Sequence, residues 1–94
     1  MKKLEQIKEL LKNSRSEEAL AALSLFERQG GLSPIVLGRV HYLRGNAYRQ
    51  QSNWRMAINS YLVAIELDPD GPAVEAYRAA QQVLAFYDHD LYNP

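Results

Sequence analysis

The chain has no cysteine among its 94 residues. Disulfides, thiolate catalysis and cysteine-ligated zinc are therefore excluded. Long hydrophobic runs are lacking too. The longest nearly apolar stretch covers residues 19–26, far short of the roughly 20 residues a membrane helix needs. Lys2 and Lys3 open the chain as a secretory signal does, but Glu5, Lys8, Glu9 and Lys12 follow, so no apolar segment develops. The reading is a cytoplasmic protein. Charge of one sign is also missing, since eleven Lys and Arg balance eleven Asp and Glu. Nothing in that balance attracts nucleic acid or an anionic membrane, and nothing opposes self-association. No stretch alternates polar and apolar residues as a half-buried strand does.

What the chain has is helical periodicity, with 47% hydrophobic and 23% charged residues, enough to fold around a core. Five helices are predicted. The first covers residues 3–13, with Leu4, Ile7, Leu10 and Leu11 on its stripe. The second covers residues 16–29, with Ser14 and Glu17 spaced for a capping box and Gly30-Gly31 as its stop. Ser33-Pro34 opens the third, whose apolar face is Val36, Val40, Leu43 and Ala47. Asn53 caps a fourth over residues 54–67. Pro72 starts a fifth that runs to about Asp88, with an irregular tail behind it. Short breaks force neighbouring helices antiparallel, and hairpins this small must stack to bury their stripes.

Residues 38–71 resemble one tetratricopeptide repeat, a helical hairpin with the pattern W-x2-L-G-x2-Y, A-x3-F, P. Gly45, Tyr48, Ala57, Tyr61 and Pro69 fill the glycine, tyrosine, small, aromatic and proline slots, and Ala64 stands in the matching run Ala64-Ile65-Glu66-Leu67-Asp68-Pro69. His41 and Arg44 occupy the slots where the family has tryptophan and leucine. A buried Arg44 needs a partner or a route to water; alternatively Leu43 packs in its place. Residues 1–33 resemble a degenerate copy, in which Leu10, Ala19 and Leu23 correspond to Tyr48, Ala57 and Tyr61 and Ile7 stands in the glycine slot. Residues 34–71 are the strong repeat, and residues 72–88 resemble a capping helix in which Val74, Arg78 and Ala79 correspond to Val40, Arg44 and Gly45. Residues 89–94 are the tail. The resemblance implies an all-α, right-handed superhelix of antiparallel hairpins forming a single domain.

The same resemblance implies a concave groove that binds a protein or peptide, lined here by Arg39, Tyr42, Asn46, Arg49, Gln50 and Tyr77, with Ala76, Ala80 and Val83 beside them. The alternative is that these residues simply face solvent, partly covered by the first helix. A two-carboxylate clamp of the kind that grips chaperone C-termini is not expected, because Ala73 and Tyr77 stand at its slots. Asp88-His89-Asp90 reads as a solvated helix end and not as metal ligands. No Gly-rich phosphate loop, H-E-x-x-H motif or nucleophile turn is present, so neither a catalytic residue nor a cofactor is expected. Val83, Phe86 and Tyr87 are surplus apolar residues on the fifth helix, which suggests a homodimer as the second reading, unless Leu91 and Tyr92 fold back over them.

Overall fold

The computed structural model describes residues 2–92, with side chains as far as Phe86. Among these residues five helices follow one another: α1 (Lys2–Lys12), α2 (Ser16–Arg28), α3 (Pro34–Gln50), α4 (Trp54–Leu67) and α5 (Ala73–Tyr92). No strand occurs among the described residues. Sequential helices pack as antiparallel hairpins, and α3 also reaches back to α1 and α2. The molecule measures 48 × 27 × 18 Å, an elongated stack.

The first two hairpin turns have the same construction. α1 ends with Ser14 at φ 60°, where Ser14 N–H donates to the Leu11 carbonyl (3.0 Å) and Arg15 N–H to the Leu10 carbonyl (2.8 Å). α3 ends with Ser52 at φ 59°, where Ser52 N–H donates to Arg49 (2.9 Å) and Asn53 N–H to Tyr48 (2.9 Å). Both are left-handed C-terminal caps that satisfy the last carbonyls of the helix. The Leu10 carbonyl thus accepts at the first turn the bond that the Tyr48 carbonyl accepts at the second. Between the hairpins Gly30 and Gly31 both take positive φ, +75° and +70°, which a side chain would strain.

Ser33 Oγ accepts from Val36 N–H (3.2 Å) and Asn53 Oδ1 from Met56 N–H (3.3 Å), so both expected caps form. The expected capping box of Ser14 and Glu17 does not form. Arg15 occupies the N-cap without a side-chain bond, because Ser14 is already committed to the left-handed end of α1.

Two apolar clusters fill the stack. The first joins Leu4, Ile7 and Leu11 of α1, Ala19 and Leu23 of α2, and Val40, Leu43 and Ala47 of α3. The second joins Ala57, Tyr61 and Ala64 of α4 with Ala73 and Ala80 of α5. Leu23 and Tyr61, at corresponding slots, are both fully buried, as are Ala19 and Ala57. Volume is shared differently in the two hairpins. The α3–α4 hairpin sets a glycine against a tyrosine, and the α1–α2 hairpin buries Ile7 with Leu23. At Gly45 the α3 backbone lies on the Tyr61 ring. A Cβ there would fall 2.6 Å from Cδ1 and closer still to Cε1. Gly38 makes a second close approach, where a Cβ would sit 3.0 Å from Asp68 Cβ.

α5 departs from expectation twice. It continues to Tyr92, past the expected end near Asp88, so no irregular tail begins at residue 89. Its sequence holds no glycine or proline between Ala73 and Tyr92, and the weak helix preference of Asp and His does not stop a helix already propagating. The repeat register also slips by one residue. Ala73 and Ala80 are buried, whereas Arg78 and Ala79 face solvent. α5 meets α4 with the face that carries Ala73 and Ala80. Small residues at 73 and 80 let it settle against α4.

Candidate functional site

The inner face of the stack carries two adjoining clefts. One, of about 490 Å³, lies between α1, α3 and Pro72, and is lined by Leu4, Glu5 and Lys8 from α1 and by Ile35, Val36, Arg39, Tyr42, Leu43 and Asn46 from α3. The other, about 790 Å³ and more open, runs from Tyr42 and Arg49 across the 69–72 turn to Glu75, Ala76 and Arg78 on α5. Tyr42 and Pro72 belong to both. One trough therefore runs from an apolar end beside Leu4 and Ile35 to a charged end beside Arg49 and Arg78. Its helical spacing explains the alignment, since positions 39, 42, 46 and 49 recur every three or four residues on one face of α3.

Of the six residues expected to line the groove, Arg39, Tyr42, Asn46 and Arg49 do line this trough. The other two do not. Gln50 is committed elsewhere, its Nε2 donating to the Leu11 carbonyl at 2.6 Å and tying α3 to the end of α1. Tyr77 packs against the second cluster, with Ala76 beside it, while Ala80 is buried within that cluster. The one-residue slip of α5 turns these side chains inward. Ala76 also borders the more open cleft. Sequence reasoning missed the α1 wall of Leu4, Glu5 and Lys8. Only the contact of α1 with α3 brings it into the site, and nothing local to residues 4–8 marks it.

Polar groups at the floor are already partly engaged. Tyr61 Oη donates to Asn46 Oδ1 at 2.6 Å, a bond that uses the amide oxygen of Asn46 and not its N–H groups. Burial pushes the Tyr61 phenol up to about 12, with Arg49 pulling it down and Tyr42 adding to the rise. Tyr42 meets Tyr61 with ring centroids 6.1 Å apart at 39°, a tilted aromatic contact. Arg39 Nε reaches Asp68 Oδ2 at 4.0 Å, and Lys8 pairs with Glu5 at 3.3 Å on the α1 rim. The Lys8–Glu5 pair is exposed on both sides and yields to a ligand at little cost, whereas in the other pair Arg39 is exposed and Asp68 is mostly buried.

The two unusual slots of the repeat form a polar cluster away from the trough. Arg44 Nη2 donates to Glu27 Oε1 of α2 at 2.7 Å, and its Nη1 lies 3.1 Å from His41 Nδ1. His41 Nε2 stands 3.8 Å from Glu27 Oε2. Arg44 thus finds the partner its burial requires, and Leu43 is buried as well, in the first cluster. Among the described residues no three His, Asp or Glu side chains come together as metal ligands. The side chains of Asp88, His89 and Asp90 lie outside those described.

On α5, Val83 is half-buried and Phe86 is 67% exposed; the Tyr87 side chain, and the expected fold-back of Leu91 and Tyr92, lie outside those described. Glu75, Arg78, Gln81 and Gln82 share the exposed surface, so the outer face is more polar than expected.

A family model of the tetratricopeptide repeat matches residues 38–70, the segment holding Gly45, Ala57, Tyr61 and Pro69. The solution NMR structure of the Bacteroides fragilis protein BF1650 is similar along nearly the whole chain. It is 42% identical, with a TM-score of 0.85, and the match covers 99% of this chain and 91% of that one. No curated protein matches the chain. Among the described residues no helix is long and apolar enough to cross a membrane.

Proposed function

The chain belongs to the tetratricopeptide-repeat family, and from that premise we propose that it is a non-catalytic adaptor, cytoplasmic, holding an extended peptide of a partner protein in its concave trough. The repeat is a protein-interaction module of a generally non-catalytic family. The observation that carries the finer reading is the continuity of the two clefts through Tyr42 and Pro72. An apolar peptide side chain fits the end lined by Leu4, Ile35, Val36 and Leu43. Asn46 offers its amide N–H groups to a peptide carbonyl, and Arg39 and Arg49 offer charge-assisted bonds to a carboxylate. Peptides selected from a random display library on the immobilised protein supply the probe. Arg39→Glu and Arg49→Glu should each weaken the selected peptide about tenfold, the worth of one charge-assisted bond. Unchanged affinity in both would move the site off this face.

Self-association through α5 is the second reading. Exposed Phe86, with Val83 and Tyr87 near it in sequence, supports it, and the polar residues Gln81 and Gln82 on the same helix weigh against it. Light scattering across a range of concentrations distinguishes a dimer from a monomer.

A further inference from the structure

We infer that the joint between the α1–α2 hairpin and α3 is acid-sensitive, with protonation of His41 loosening α2, and the α1 wall of the groove with it, from the central repeat. Among the described residues, three sets of polar links cross this joint besides the apolar cluster. Gln50 donates to the Leu11 carbonyl (2.6 Å), and Gln51 Nε2 donates to Ser16 Oγ (3.1 Å). Neither changes charge. The third is the cluster of Glu27 on α2 with Arg44 and His41 on α3. His41 is its titrating member near neutral pH.

The hydrogen bonds assign the proton. Arg44 is always a donor, so the contact of its Nη1 with His41 Nδ1 at 3.1 Å requires a lone pair on Nδ1. His41 is then neutral, with its proton on Nε2, facing Glu27. A second proton on Nδ1 removes the acceptor from Arg44 and sets an imidazolium against a guanidinium. Glu27 is engaged with Arg44 at 2.7 Å and stands 3.8 Å from Nε2. The charged groups acting on the ring are Arg44 from α3 and Glu27 from α2; α1, α4 and α5 contribute none among the described side chains.

Three effects compete on that ring. Burial lowers its affinity for a proton most, Arg44 lowers it further, and the opposing pull of Glu27 is the smallest. When α2 moves away, the burial is relieved and the Glu27 attraction is lost, and the first outweighs the second. The open form therefore binds the proton better. Below the ordinary histidine value of 6.5 the open form is favoured progressively, until the docked form protonates too. Above 6.5 the joint is insensitive to pH. One proton limits the effect to about tenfold in the opening equilibrium per pH unit.

The consequence for ligand binding rests on the groove proposed above, because Leu4, Glu5 and Lys8 travel with the hairpin. The joint itself is tested without ligand. Amide hydrogen exchange of the full chain, corrected for the intrinsic pH dependence, is followed from about pH 7.5 to about pH 5, above the ordinary range of the carboxylates. Protection of α2 amides should fall with acidification by up to about tenfold per unit, while α4 amides hold. His41→Gln keeps an acceptor for Arg44 and should abolish the pH dependence. A dependence that survives in His41→Gln, or a wild-type protein without one, overturns the inference. Should that variant fold poorly, the His41 ring titration followed by NMR in the wild-type chain decides, and a midpoint at or above 6.5 overturns it. Selected peptides provide a separate arm. A joint that opens in acid without loss of peptide affinity leaves this inference standing and removes the groove.

Discussion

Replacing Gly45 by alanine tests the packing on which the repeat depends, because its sign is opposite to that of an ordinary helix substitution. On an exposed helix, Gly→Ala stabilises by about 1 kcal/mol through helix propensity. Here the new methyl group would overlap three atoms of the Tyr61 ring, with Cδ1 at 2.6 Å, against an ordinary carbon–carbon contact of roughly 3.5–4.0 Å. The ring has nowhere to go. Tyr61 is fully buried and its hydroxyl is fixed to Asn46 at 2.6 Å. Overpacking of this kind costs about 3 kcal/mol, the upper end of the usual range, so the net loss is about 2 kcal/mol. For a domain this size that lowers the melting temperature by roughly 10 °C, with Gly45→Leu worse. Thermal and urea unfolding followed by helical circular dichroism measure it. A second variant, Gly45→Ala with Tyr61→Leu, should lose less than the sum of its parts, since the overlap is removed. An alanine variant at least as stable as the parent refutes the close approach of α3 and α4, and with it the repeat register.

Tyr61→Phe should remove an alkaline instability. The phenol is raised from 10 to about 12 on folding, so the stability it contributes is complete below pH 10 and lost as pH rises to 12, at about 1.4 kcal/mol per unit; a parent-minus-variant difference flat above pH 10 would contradict this. Glu27→Ala should cost about 2 kcal/mol by stranding Arg44, whereas Glu27→Gln with Arg44→Leu should unfold within about 1 kcal/mol of the parent, read by urea midpoints. Ser14→Gly and Ser52→Gly should each stabilise by up to about 1 kcal/mol, because both serines hold positive φ; destabilisation in both would argue against the paired left-handed caps. Arg49→Glu should leave the melting temperature within about 1 °C while weakening selected peptides, as expected for an exposed charge.

Legibility in the sequence followed the range of the interaction. Helix limits set by local chemistry were readable: Ser33, Asn53 and the glycine pair at 30 and 31 act on backbone groups within three residues of themselves. So were the close contacts inside one hairpin, where Gly45 and Tyr61 announce each other by size. Failures began where two elements meet without a covalent reason to do so. Ser14 looked like a helix start and is a helix end, because the choice depends on whether the chain is still paying out α1 or already entering α2. α5 carries alanines at 73, 76, 79, 80 and 85, and a helix so rich in small residues can present several faces to α4 at similar cost. Its phase was thus decided by packing, and Tyr77 packs against the second cluster instead of lining the groove.

The polar joint shows the same limit from another side. That Arg44 would require a partner followed from its slot alone; that Glu27 supplies it depends on how α2 lies across α3. The family's usual tryptophan and leucine would make this contact apolar and indifferent to pH. With His41 and Arg44 there, docking of the hairpin draws partly on an ion pair and a neutral imidazole, neither of which tolerates a change of protonation freely. The helix that holds the hairpin on one face turns Arg39, Tyr42, Asn46 and Arg49 toward the trough on another. A perturbation of the joint is therefore transmitted to the groove through the rigid body of α3 on one side and through the α1 wall on the other. Substitutions at 41 and 44 should consequently alter peptide affinity without touching the peptide, whereas those at 39 and 49 alter it by contact.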